Sequence, residues 1–124
     1  MRFGRRALEA TLVNAGHSPA PVKITIGGQG ERPALINRTT GARLSFTAPV
    51  PQGTVLEINT DPENLYAMIE ENGVQLNAYG FLDVATPISD FQLAPGANRI
   101  EYESGDATAR TSVLMAWRGR FEGV

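Results

Sequence analysis

One histidine, His17, and no cysteine occur among the 124 residues, so carboxylates, hydroxyls and aromatic rings set the chemistry open to this chain. A single imidazole without thiolates does not make a structural zinc site of ordinary composition. His17 sits among Gly16, Ser18 and Pro19, a run of turn formers, and no Gly-x-Ser-x-Gly elbow presents a serine to it. A solvated turn histidine is the expectation. Glu101 and Glu103 have the spacing for acid–base work, because residues two apart on a strand share a face at roughly 6.6–6.8 Å between Cα atoms. Inverting glycosidases hold their carboxyl groups about 6.5–9.5 Å apart. Ile100 and Tyr102, however, form the apolar side of that strand, so both carboxylates are expected to face water. Glu70 and Glu71 fall on opposite faces. Asp61, Glu63 and Asn64 carry oxygen ligands without the rhythm of a calcium loop, and Asp61 with Pro62 reads as a turn opener. Gly27, Gly28 and Gly30 precede no helix and so make no phosphate-binding loop. No catalytic residue, metal or cofactor is expected.

Exposed rings on a β-domain can stack on sugars, and Tyr66, Tyr79, Phe81 and Trp117 are the aromatics to weigh. Trp117 alternates with Val113 and Met115, which places it in the core. Tyr79 and Phe81 lie in an irregular segment and are the candidate ligand-binding residues.

The elements that must position these residues are strands. Leu8, Ala10 and Leu12 alternate with Glu9, Thr11 and Val13; Val22, Ile24 and Ile26 alternate with Lys23 and Thr25, up to Gly27 and Gly28. Residues 34–37 and 42–47 flank Thr39, Thr40 and Gly41 as a hairpin with glycine at the strained position. Pro49, Pro51 and Gly53 break the chain before a strand at 55–59. Asn72 and Gly73 between residues 65–71 and Val74, Leu76 are the strongest short-range hairpin signal in the sequence. Residues 77–90 have no clean period and read as a loop or short helical turn. Residues 91–93 then lead to Pro95 and Gly96, where proline presets φ and glycine accepts the positive φ of a type II turn. Asn98, Ile100 and Tyr102 alternate with Arg99, Glu101 and Glu103, and residues 107–117 form a last strand. Roughly nine or ten short antiparallel strands and no amphipathic helix predict an all-β sandwich or barrel. Gly41, Asn72, Gly73, Pro95, Gly96 and Asn98 are its structural turn residues.

At this length one domain with its own core is expected: residues 8–121, after a flexible lead-in or linker remnant at 1–7 and before a tail at 122–124. A formal net charge of −2 argues against a nucleic-acid partner, which a basic stripe would serve. No apolar run approaches the roughly 20 residues of a membrane-spanning helix, so no membrane insertion is expected.

The order of turns resembles the C-terminal domain of the siphovirus distal tail protein family. The matching pieces are Asn14 and Gly16; Pro21 with Val22, Ile24, Ile26 and Gly27; Leu35, Asn37, Thr40, Gly41 and Leu44; Leu56, Ile58, Asn59 and Thr60; and Asn72 with Gly73. Phe91, Leu93, Pro95, Gly96, Asn98 and Ile100 follow, then Trp117, Arg118, Gly119, Arg120 and Phe121. The resemblance implies a galectin-like jelly-roll in the virion tail: a non-catalytic component of a phage or prophage tail tip, with other tail or receptor-binding proteins as partners. It also implies that ring assembly requires an N-terminal domain not seen in this sequence, so that the isolated domain is monomeric. Two further readings stand beside it. One is a jelly-roll carbohydrate-binding module that recognises a host cell-surface saccharide; the other is a glycan hydrolase built on Glu101 and Glu103. An exposed aromatic platform would favour the saccharide module, and a protein-sized apolar patch the tail component.

Overall fold

A computed structural model of the chain describes residues 6–30, 32–47, 50–83, 87–104 and 112–118. Among them run ten strands: β1 (Arg6–Asn14), β2 (Ala20–Gly30), β3 (Ala34–Asn37), β4 (Arg43–Ser45), β5 (Val50–Asn59), β6 (Tyr66–Glu71), β7 (Val74–Asn77), β8 (Gln92–Leu93), β9 (Gly96–Ser104) and β10 (Ser112–Trp117). The smaller sheet has the order β1-β9-β3-β4. The larger has the order β10-β2-β5-β6-β7, with β8 pairing the start of β2. All pairings are antiparallel. The protein is an all-β sandwich of two antiparallel sheets.

Period-2 alternation explains the core. Val22, Ile24 and Ile26 of β2, Leu56 and Ile58 of β5 and Ala67 of β6 line one side of it; Leu35 of β3, Leu44 of β4 and Ile100 and Tyr102 of β9 line the other. Phe91 and Leu93, fully buried, fill one end. The polar alternates form the outer faces, where Lys23, Thr25 and Glu57 meet across β2 and β5.

Several elements run longer than their sequence patterns predict. β1 begins at Arg6, paired with Ser104, two residues before the alternation that starts at Leu8. β2 continues through Gly27 and Gly28 because β5 reaches past Gly53 to meet it, with Gly28 opposite Thr54 and Gly30 opposite Val50. The register shifts between those pairs, over the stretch of β5 that holds Pro51 and Gly53. The irregular stretch after β7 contains two single-turn 3-10 helices, Tyr79–Phe81 and Ile88–Asp90. Residues 1–5, 105–111 and 119–124, including part of the expected last strand and the tail at 122–124, lie outside the described residues.

Candidate functional site

The turns expected from sequence are in place. Asn72 at φ 53° and Gly73 at φ 79° join β6 to β7 in the two left-handed positions that a type I′ hairpin demands. Gly96 at φ 91° supplies the positive φ that follows Pro95. Gly41 closes the β3–β4 hairpin by donating its N–H to the Asn37 carbonyl at 2.7 Å. At Asp61 and Pro62 the chain turns: the Asn64 N–H reaches the Asp61 carbonyl at 2.9 Å, and the Glu63 N–H the Asp61 Oδ1 at 3.0 Å.

Asn98 does more than close a turn. It is fully buried, accepts the Ala94 N–H at 2.8 Å and donates to the carbonyls of Ala94 at 2.8 Å and Gly96 at 3.0 Å. Two other buried asparagines, Asn14 of β1 and Asn37 of β3, join it around β8. Asn37 donates to the Gln92 carbonyl at 3.0 Å and Asn14 to the Leu93 carbonyl at 3.1 Å. Three side-chain amides from three strands of the smaller sheet thus hold the carbonyls of residues 92, 93 and 94. Asn37 and Asn98 are also bonded to each other, Nδ2 to Oδ1 at 3.2 Å. The network ties the two sheets together at this end, and its chemistry is structural.

Of the carboxylate pair, Glu101 lies on the outer face of β9 as expected but is sheltered there. Glu101 is held by Arg38 at 2.9 Å and lies 3.8 Å from Arg99, and its side chain is only 16% exposed. Arg99 in turn binds Glu9 at 2.6 Å, across the β1–β9 pair. This ladder of alternating charge crosses the outer face of the smaller sheet, and the aliphatic stems of its arginines account for the shelter of Glu101. A carboxylate fixed by guanidinium groups is poorly placed to shuttle protons. His17 lies exposed in its turn. Among the described residues no group of three or more His, Cys, Asp or Glu side chains is arranged to hold a metal ion, and no helix is long and apolar enough to cross a membrane.

Tyr79 and Phe81 are exposed, at 42% and 41%. Their backbone is fixed: the Tyr79 N–H is capped by Asn77 Oδ1 at 2.7 Å, and the Phe81 carbonyl accepts the Thr47 N–H at 2.7 Å. On a 3-10 helix of about three residues per turn, positions two apart point in different directions, so the two rings do not form one flat platform. They continue instead a strip of apolar side chains along β7. Leu76 is 59% and Val74 57% exposed, although both lie on the core side of the larger sheet. The register shows why. The row Ile26, Leu56, Ile69, Leu76 passes from fully buried, through half-buried Ile69, to open solvent, because β7 extends past the cover of the smaller sheet. Sequence alternation places Val74 and Leu76 on the apolar side of their strand, but exposure at a sheet margin depends on the relative widths of two sheets.

Trp117, expected in the core, is half-buried. It packs against the core and also lines a cavity of about 450 Å³ at the opposite edge of the larger sheet. Comparisons with known proteins give no match: no family model, no curated protein and no solved structure is similar to this chain.

Proposed function

We propose that this chain is a non-catalytic docking module whose β6–β7 margin seats another protein. The phage tail tip is the setting that the resemblance implies, with a tail or receptor-binding protein as partner, a galectin-like jelly-roll as the finer description of the sandwich, and the virion tail as its location. The observation that carries the reading is the strip Val74, Leu76, Tyr79 and Phe81. Four large apolar side chains lie open at a sheet edge on a backbone held by hydrogen bonds. Such a strip has the composition of an interface core, where apolar and aromatic side chains are enriched. A strand at a sheet edge can also pair through its backbone with an incoming strand. The divergence of the two rings favours protein docking over stacking on a flat sugar.

The test is binding of the chain to the purified tail-tip proteins encoded alongside it, measured by calorimetry for the parent and for the Val74→Thr, Leu76→Thr double variant. Saturable binding that the double variant weakens at least tenfold supports docking at this margin. Undiminished binding moves the interface elsewhere, and absence of binding to every such protein removes the tail-tip setting.

A further inference from the structure

At the docking margin itself, we infer that the partner binds as an extended strand added to β7, with a lysine or arginine on that strand set between two apolar residues. The inference rests on the reading of this margin as a docking surface and names the chemistry of its occupant. β7 ends the order of the larger sheet, and among the described residues no strand pairs with its other side. The hairpin fixes which of its backbone groups are open. Across a type I′ turn the flanking residues, Glu71 and Val74, exchange both bonds of a hydrogen-bonded pair, and bonded and non-bonded pairs then alternate. Ile69 with Leu76 is a bonded pair; Glu70 with Gln75 and Met68 with Asn77 are not. The Ala78 N–H on the Ala67 carbonyl, at 2.8 Å, falls at the next bonded position and keeps the alternation. The N–H and C=O groups of Gln75 and Asn77 therefore point away from β6, along the free edge.

The two faces of that edge select the incoming side chains. Antiparallel pairing, the arrangement of every pair in this fold, puts one incoming residue opposite Gln75 and its neighbours opposite Val74 and Leu76. The neighbours share the face on which Val74 and Leu76 lie open, so apolar side chains there remove area from water on both chains. The residue opposite Gln75 takes the other face, at the end of the row Val55, Glu70, Gln75. On that face Val55, Glu57, Met68, Glu70 and Gln75 line a depression of about 100 Å³. A water takes about 30 Å³ of liquid, so the depression has room for a cationic head. Glu70 is exposed, and among the described residues no cation pairs with it; it accepts only a long bond from Gln75 Nε2, at 3.4 Å. Glu57 is engaged only loosely by Lys23, at 3.8 Å. With strands about 4.7–4.9 Å apart, Glu70 lies two spacings from the incoming strand. A lysine or arginine stem lying along Gln75 and the glutamate side chain close that gap from its two sides. A second copy of β7 would set Gln75 against Gln75 and bring its own Glu70 to the same row, with no cation between them. The charge of the face therefore favours a basic strand of another protein.

The experiment is an NMR titration of the ¹⁵N-labelled full chain with the capped peptide Thr-Val-Lys-Val-Thr, its glutamate-for-lysine counterpart, and a version N-methylated at the central lysine. Saturable binding of the lysine peptide at least fivefold tighter than the glutamate peptide is expected. At saturation, amide exchange at Gln75 and Asn77 should slow at least tenfold, while that at Val74 and Leu76, already paired to β6, changes little. N-methylation should abolish binding, because it removes the N–H that meets the Gln75 carbonyl. Glu70→Gln should cut the preference for lysine below twofold. Glu63→Gln, which makes the same change of charge in the exposed turn at Asp61, should keep it. No saturable binding, unchanged exchange at Gln75 and Asn77, equal binding of the glutamate peptide, or a preference that survives Glu70→Gln would each overturn the assignment. Protection of those two amides that rises with the concentration of the chain alone would assign a second copy and overturn it as well. The docking reading fails separately: a tail-tip protein whose binding the Val74→Thr, Leu76→Thr variant weakens, but which leaves the Gln75 and Asn77 amides unprotected, keeps the margin and removes the strand.

Discussion

The end of the sandwich around β8 and the margin along β7 solve the same problem in opposite ways. At both, one sheet runs past the regular pairing that the other offers. Around β8 the surplus backbone is met by the side chains of Asn14, Asn37 and Asn98, each fully buried and each bonded to a carbonyl of residues 92–94. Along β7 no polar side chain among the described residues closes the gap, and Val74 and Leu76 stay more than half exposed on the side that elsewhere faces the core. The first arrangement makes a cohesive end at the cost of desolvating three amides, and it tolerates no loss of a partner. The second leaves apolar area uncovered that association with another protein could remove from water. Cohesion and availability are therefore segregated to different parts of one fold.

The sharpest way to break that comparison is at Asn98. Asn98→Ala removes donations to the carbonyls of Ala94, Gly96 and, at 3.5 Å, Leu12, and the acceptance of the Ala94 N–H, and also strips Asn37 of its side-chain partner. Leaving a buried polar group unsatisfied costs about 1–3 kcal/mol, and the losses here share partners and do not add in full. A destabilisation of about 3 kcal/mol is expected, read as a lower urea midpoint at unchanged slope. A loss below about 1 kcal/mol would mean that water replaces the amide and that this end is not tied in the way described.

An intermediate case is Tyr66, on the outer face of the larger sheet, whose hydroxyl donates to Glu57 Oε2 at 2.6 Å. The bond is short and charge-assisted, like the strongest in proteins, but it is partly open to water. Tyr66→Phe should cost under about 1 kcal/mol at neutral pH once solvent screening is allowed for, well below Asn98→Ala. Burial first, then the hydrogen bond to Glu57 and its charge, push the Tyr66 hydroxyl up from 10.0 to about 12. A folded-state value above the unfolded one means that the contribution is whole below pH 10 and is lost as pH rises through about 12. The stability gap between parent and Tyr66→Phe should therefore close over that window. A ¹³Cζ titration of Tyr66 with its midpoint near 10 would contradict the contact.

How much of this was legible in the sequence follows from the range of each interaction. The alternation in β2, β5 and β9 and the turn residues Gly41, Asn72, Gly73 and Gly96 are local, and the strands and hairpins form where their spacing predicts. Asn98 was legible as a turn residue, but its place in a three-strand network was not, because Asn14 reaches Leu93 across 79 positions of chain and Asn37 reaches Asn98 across 61. Glu101 was misread because alternation tells which face a carboxylate takes, and not that Arg38, 63 positions away, covers it. Trp117 packs against the core with Val113 and Met115, as their alternation predicts, but its partial exposure was not legible, for the reason that applies to Leu76. A residue on the inner side of an edge strand is buried only if the opposite sheet is wide enough to reach it.

Leu76 gives the smallest expected effect on stability and the most direct check on that last point. Its strand partner Ile69 is half-buried and the next residue in the row, Leu56, is fully so, which makes the row a graded series across a single sheet. Threonine keeps the strand preference of a β-branched residue while removing most of the exposed apolar surface. Because Leu76 is already 59% exposed, Leu76→Thr should change the unfolding free energy by less than about 0.5 kcal/mol, as surface substitutions do. A loss above about 1 kcal/mol would show that the side chain is packed in solution, that the smaller sheet or a residue beyond it reaches β7, and that the margin is core. A neutral result leaves the apolar strip without a role in holding the fold together. That is the result the proposed docking role expects, since an uncovered apolar edge strand invites association.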